Sequence, residues 1–289
     1  MEKQMRRKVE KVFRGEPVIE GAGVHLHRVF GYYDTLLFDP FLMLDDFRSD
    51  APEEYLNGFP WHPHRGIETI TYVLKGDVEH GDSLGNKGVI SSGDVQWMTA
   101  GSGIIHQEMP KGDDKGSMYG FQLWANLPAR QKMMEPRYRD ISAADIPEVE
   151  LENGTKIKII AGTVSGVSGP ADDIVIDPEY LDCRVPAATE FIHKTKKGYT
   201  TFLYVIAGEG SIADTFVSDR TLVLFGDGEE LAITSGANKV RFLLLSGRPL
   251  KESIAWRGPI VMNTEEELDQ AFSEIRNETF IKHGRKEEK

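Results

Sequence analysis

Short runs rich in Val, Ile, Thr, Tyr and Phe recur along the chain, divided by breaks that contain Gly and Pro. This is the pattern of strands separated by turns. The runs fall at 67–74, 118–125, 156–161, 201–207, 220–225 and 239–245. Many short strands at such spacing predict an all-β sandwich or barrel. One segment has a helical period instead. Thr264-Glu265-Glu266-Glu267 reads as an N-cap Thr with Glu at N3, a capping box. Leu268, Ala271, Phe272 and Ile275 follow at i, i+3, i+4 and i+7, which predicts a short C-terminal helix over about 264–277, packed on the outside of a sheet. A briefer helical turn is expected at 129–134. One of the longest apolar runs, 202–207, is far below the 18 or so residues of a membrane helix.

The strand pattern repeats. Thr71-Tyr72-Val73-Leu74-Lys75-Gly76 is similar to Leu203-Tyr204-Val205-Ile206-Ala207-Gly208 at an offset of 132. Gly93-Asp94 and Gly226-Asp227 follow at 133, and Ala100-Gly101 and Ser235-Gly236 at 135. Order and near-constant offset predict a duplicated β domain. We divide the chain into an N-terminal domain, 1–140, and a C-terminal domain, 141–289, that carries the helix. The turn-rich stretch 162–173 is expected to be a long surface loop.

Composition narrows the class. The chain has 289 residues, 40% apolar and 28% charged, as in ordinary globular proteins. Its single cysteine, Cys183, excludes an intrachain disulfide framework and a cysteine-based zinc cluster. The N-terminal MEKQMRRKVEKVFRGE lacks the apolar stretch of a secretory signal. A reducing, cytoplasmic setting without a membrane partner is expected. The net charge is −12; residues 1–15 carry +4 and 281–289 carry +2, leaving −18 for the body. An acidic body repels a phosphate backbone and argues against direct nucleic-acid binding. The basic ends are expected to be solvated and flexible.

The histidines carry the candidate chemistry. His62-Pro63-His64 precedes Arg65-Gly66-Ile67-Glu68, and His106-Gln107-Glu108 follows Gly101-Ser102-Gly103-Ile104-Ile105. Alternate side chains on a strand share a face, so two facing strands can present three imidazoles and one carboxylate to one point. That donor set suits a first-row transition metal and leaves coordination positions open for O₂ or a chelating substrate. Spacing alone leaves open an ordinary surface or core role for these side chains. His25 and His27 form a second H-x-H without the glycine frame and read as surface strand residues; His80 is expected in a solvent-facing turn, and His193 and His283 have no companions.

PWHPHRGIETITYVLKG (60–76) resembles the first motif of the cupin superfamily, and SGDVQWMTAGSGIIHQEMP (92–110) the second, with its His displaced. These strings, with FDPFLMLDDF (38–47), YGFQLWANLP (119–128) and GPIVMNTEEEL (258–268), are similar to the pirin family. The resemblance covers about 20–280. It implies two packed cupin barrels (double-stranded β-helix, or jelly roll), with one metal, usually iron, in the N-terminal barrel. The matching ligand positions are His62, His64, His106 and Glu108. Glu68 shares the parity of His62 and His64 and is the competing carboxylate; the pirin pattern leaves it as a partner that orients a ligand His or as a salt-bridged residue.

The resemblance further implies a quercetin 2,3-dioxygenase activity on a flavonol-like substrate with O₂, with Glu108 taking the enolic proton. Phe59, Trp61, Trp97 and Met98 are candidates for the cleft wall, against the alternative of core packing. The other reading is an iron-dependent, redox-sensing regulator that uses Fe(II)/Fe(III) and binds a protein partner. Mn, Ni, Cu and Zn also accept this donor set. The repeat offset maps His62 and His64 to Lys194 and Lys196, and His106 to 239–241, so cationic side chains are expected to keep metal out of the second barrel.

Overall fold

The structure, a computed structural model, describes residues 5–283. It resolves into two compact units. Among the described residues, the first comprises Glu16–Leu37, Phe41–Ala143 and 250–283; the second comprises 5–15, Phe38–Pro40 and Ala144–Pro249. The units are therefore not the contiguous stretches 1–140 and 141–289. The passage between them at 143/144 lies close to the expected boundary, but each chain end belongs to the unit remote from it in sequence. The physical reason is edge closure: a bare sheet edge is satisfied by whichever strand can pair with it. Val9–Arg14 supplies the second unit's edge by pairing antiparallel with Thr221–Phe225.

In the first unit a seven-stranded antiparallel sheet runs in the order Arg137–Ile141, Val95–Thr99, Ile67–Lys75, Tyr119–Asn126, Phe41–Asp46, Val24–Phe30, Glu16–Glu20. A four-stranded sheet runs Phe59–His64, Ile104–Lys111, Asp77–Asp82, Lys87–Ile90. In the second unit the large sheet runs Val9–Arg14, Thr221–Phe225, Thr200–Ala207, Val240–Gly247, Glu179–Val185, Lys156–Ala161, Glu148–Glu150, and the small one Glu190–Lys194, Glu230–Ser235, Glu209–Ile212, Thr215–Ser218. The two units thus match strand for strand. Inward side chains of both sheets form each core: Leu203, Val205, Phe242 and Leu244 meet Phe191, Leu231 and Ile233 in the second unit. The first unit ends in the helix Glu265–Arg276, opened by the expected capping box at Thr264 and Glu267 and burying Leu268 and Ala271. That face packs on the strands Ala255–Arg257 and Ile260–Met262.

Three expectations are corrected. Residues 6–14 are not a solvated end: Val9–Arg14 is a strand, and Arg7 is 3% exposed, its guanidinium bonded to Thr195 Oγ1 and to the carbonyls of Gly226, Lys196 and Tyr199. Residues 1–4 and 284–289 lie outside the described residues. The stretch 162–173 holds a small hairpin, Thr163–Val164 with Val167–Ser168, that buries Val164 and Ala171.

The third correction concerns the repeat. The turn Gly76 matches Gly208, with φ of +77° and +79°. Beyond it the constant offset fails, because the second unit's loops are shorter. Tyr72 faces Val95 whereas Tyr204 faces Leu222, so Gly93-Asp94 does not correspond to Gly226-Asp227. On the small sheets His106 faces His62, and Leu231 faces His193. The second-unit counterparts of His62, His64, His106 and Glu108 are therefore His193, Thr195, Leu231 and Ile233, not Lys194, Lys196 and 239–241.

Candidate metal centre

Strand pairing sets the site. Phe59–His64 lies beside Ile104–Lys111 with His64 opposite Ile104 and His62 opposite His106. The register shifts between His106 and Glu108, so that Glu108 faces Phe59. Pro60 and Trp61 stand against Gln107 alone, a bulge that bends the strand and re-aims His62. The ligand-capable nitrogens of His62, His64 and His106 lie within 4.8 Å of one another, with ring centroids 4.5 to 5.0 Å apart.

The hydrogen bonds say what this cluster is suited to hold. His62 Nδ1 donates to Pro60 O at 2.8 Å, and His64 Nδ1 to Pro259 O at 3.2 Å. A neutral imidazole has one N–H, so both Nε2 atoms, 3.0 Å apart, face each other as lone pairs. That arrangement is repulsive alone and attractive around a cation. His106 is fully buried, and neither of its ring nitrogens has a partner. Each such buried, unsatisfied group costs about 1–3 kcal/mol. Burial, and then the charge of neighbouring imidazoles, holds His64 and His106 well below the usual histidine range. Neutral rings are the ligating form. The residues present therefore fit a divalent metal.

The two carboxylates stand apart from the imidazoles. Glu108 is 4% exposed on the inward face of its strand, but it is not part of the three-imidazole group. Its Oε1 accepts from Thr71 Oγ1 and its Oε2 from Gln122 Nε2, both at 2.9 Å. Glu68 is buried, accepts from Thr99 Oγ1 at 2.6 Å and leaves Oε2 without a partner. Burial raises its carboxyl above the ordinary range. No hydrogen bond joins it to a histidine ring among the described residues.

The cluster opens on a cavity of about 740 Å³ walled by Met43, Phe59, Gln122, Trp124 and Trp256. Trp124 meets His64 edge-on at 5.0 Å and Trp256 at 5.8 Å. Of the cleft candidates, Phe59 lines this cavity; Trp61 is 54% exposed beside a separate groove, and Trp97 and Met98 are core. Trp124, Gln122 and Asp45 lie in motif strings that assign them no role, and Trp256 and Arg28 lie outside those strings. Arg28 holds Asp45 by two bonds of 3.0 and 2.9 Å on the cavity wall. Two further histidines differ from expectation. His80 is on the strand Asp77–Asp82, 5% exposed and stacked on Tyr138; His193 is bonded to Glu179 at 3.0 Å. His25 is an exposed strand residue and His27 a half-buried one.

Known proteins agree with this architecture. Residues 23–125 match the Pirin family model and 180–281 the Pirin C-terminal cupin domain model. A pirin-like protein of Caulobacter vibrioides is 43% identical over 275 residues, covering 95% of this chain and 99% of its own. A Pseudomonas aeruginosa protein provisionally named quercetin 2,3-dioxygenase is 43% identical over 281 residues, covering 94% and 97%. The crystal structure of quercetin 2,3-dioxygenase from Acinetobacter baumannii superposes with a TM-score of 0.87 at 32% identity, covering 95% of this chain and 98% of that one. No helix among the described residues is long and apolar enough to cross a membrane. With two family models matched in order on two like-built β units, the chain belongs to the pirin family and consists of two cupin domains.

Proposed function

We propose that this chain is a mononuclear metal oxygenase of the quercetin 2,3-dioxygenase type, with iron(II) as its metal. The observation that carries the reading is the set of three converging imidazoles, of which His62 and His64 line a large, aromatic-walled cavity. His62, His64 and His106 hold the ion. Bound there, the metal would supply a Lewis-acidic, redox-active point at which O₂ and a vicinal oxo–hydroxy group can meet. The chain's own residues do the rest. Trp124, Trp256, Met43 and Phe59 offer faces and edges to a planar multi-ring substrate and exclude water around it. Glu108 is the proton acceptor in this reading, and would become the fourth donor only on leaving its present hydrogen bonds to Thr71 and Gln122. The Thr71 hydroxyl and the Gln122 amide keep its carboxylate aimed. When Gln122, which also faces the cavity, turns to the substrate, Oε2 is released to take the enolic proton. General-base help of this kind is worth roughly 10²–10⁴ in rate.

The test is anaerobic reconstitution with iron(II), metal analysis, then addition of quercetin and O₂ with detection of carbon monoxide. One equivalent of iron, with CO release and loss of flavonol absorbance both abolished by His106→Ala, supports the proposal. One equivalent of iron without CO sinks the quercetinase reading and turns attention to a metal-dependent regulator with a protein partner.

A further inference from the structure

The backbone that follows His64 is gripped by the far end of the same unit's sequence. His64 Nδ1 is bonded to Pro259 O at 3.2 Å. Arg65 pairs in parallel with Ile260, and Val261 N–H donates to Arg65 O at 3.1 Å. Gly66 has φ +78°, and a Cβ there would fall 1.9 Å from Val261 O, so only glycine admits this approach. Lys132, 1% exposed, closes the same junction by donating to Gly66 O, Asn126 Oδ1 and Val261 O at 2.9, 2.7 and 3.0 Å. Three acceptors use all three N–H bonds of an ammonium.

Arg65 is the second grip. It is 2% exposed; its Nε donates to Ser102 O at 2.7 Å and its Nη2 to Phe280 O at 2.9 Å, and Nη2 is ion-paired with Glu274 at 2.7 Å. Its guanidinium lies 4.3 Å from the Phe280 ring centre. Ser102 belongs to the turn that leads into the His106 strand. One side chain thus ties the residue after one imidazole, the approach to another and the end of the chain.

We propose that residues 255–280 are a positioning element of the metal centre: through the Pro259 carbonyl and the Arg65–Glu274–Phe280 knot they fix His64 and set metal affinity. This rests on the three histidines being ligands. Coupling of this kind is reciprocal, so a bound metal must tighten the C-terminal helix by the same free energy. Groups that orient ligand histidines typically change metal affinity 10–100-fold when lost.

The test uses the full chain with zinc(II) as a diamagnetic probe, in competition with a chelator. Phe280→Ala and Glu274→Gln are each expected to weaken zinc about 10–100-fold, with Phe280→Leu restoring most of the loss. In zinc-loaded protein the His64 Nδ1–H resonance is expected to be sharp, and to broaden or vanish in Phe280→Ala. Hydrogen exchange on the unsubstituted chain needs no variant: zinc is expected to slow the Val261 amide and the amides of Glu265–Arg276. Unchanged zinc affinity in both knot variants, or slowing confined to Phe59–His64 and Ile104–Lys111, overturns the proposal. Undiminished zinc affinity in His62→Ala instead overturns the ligand assignment on which it stands.

Discussion

Opposite His106 in the first unit stands His62; opposite Leu231, at the matching place in the second, stands His193. The remaining counterparts are Thr195 for His64 and Ile233 for Glu108. The cavity wall changes in the same sense, Trp124 giving way to Ser246, and the matching cavity shrinks from about 740 to about 370 Å³. Leu231 and Ile233 are 0% and 1% exposed and belong to the second unit's core, where burial of such a side chain contributes about 1.5–3 kcal/mol. In the first unit those inward positions hold polar side chains, and His106 is left with unbonded ring nitrogens. One scaffold therefore carries two kinds of interior: a packed core where the inward positions are apolar, and a three-imidazole cluster compatible with a metal where polar groups are kept in place at the expense of stability.

The sharpest break exchanges one residue between the units. His106→Leu is expected to reduce bound metal from one equivalent to near none while the metal-free chain unfolds at the same temperature or higher, because an unsatisfied buried ring is removed. Metal analysis and a melt of the apoprotein check both halves. The reverse exchange is next in size. Leu231→His with Thr195→His is expected to cost about 2–4 kcal/mol without metal, part of which returns on adding zinc(II) in a denaturant titration. Absence of a metal-dependent recovery would show that strand register alone does not make the site.

The shared turn tests equivalence itself. Gly76→Ala and Gly208→Ala meet the same φ and a backbone carbonyl at 2.5 and 2.1 Å. Each is expected to cost about 1–3 kcal/mol, and unequal costs would argue against matched turns. The smallest effect is one of pH. Burial pushes Asp45 up to about 6, against the pull of Arg28. The native state then holds more protons than the unfolded one from about pH 4 to 6, so this group's contribution falls as pH rises through that window. Relative to Asp45→Asn, the wild type is expected to lose about 1 kcal/mol between pH 5 and 6, measured by denaturant midpoints at each pH.

Runs rich in β-branched and aromatic residues mark six of the strands, and the capping box at Thr264 marks the helix to within a residue. Parity brought His62, His64 and His106 together on paper before any pairing was known. The bulge at Pro60 and Trp61 was invisible, since it depends on the opposing strand. The repeat could be read at Gly76 and Gly208 but not beyond, because loop length and strand register are independent. His80 was misjudged because DVEHGD has the composition of a turn, yet it pairs with Ile104–Lys111 and is held as strand by that ladder. Pro259 could not have been found: it acts through a carbonyl oxygen, which every residue has. Arg7 falls in a stretch that reads as a solvated basic end, and nothing in the sequence singles out Lys132; backbone oxygens around both make burial tolerable.

The order in which the chain is synthesised gives the exchanged ends a further meaning. Val9–Arg14 is made some 200 residues before its pairing partner and cannot join its sheet until Thr221–Phe225 exists. The carbonyl bonded to His64 and the strand beside Arg65 come from 259–261, made only after the chain has grown 195 residues beyond His64. A nascent chain that already carries all three histidines is thus still short of a finished metal pocket.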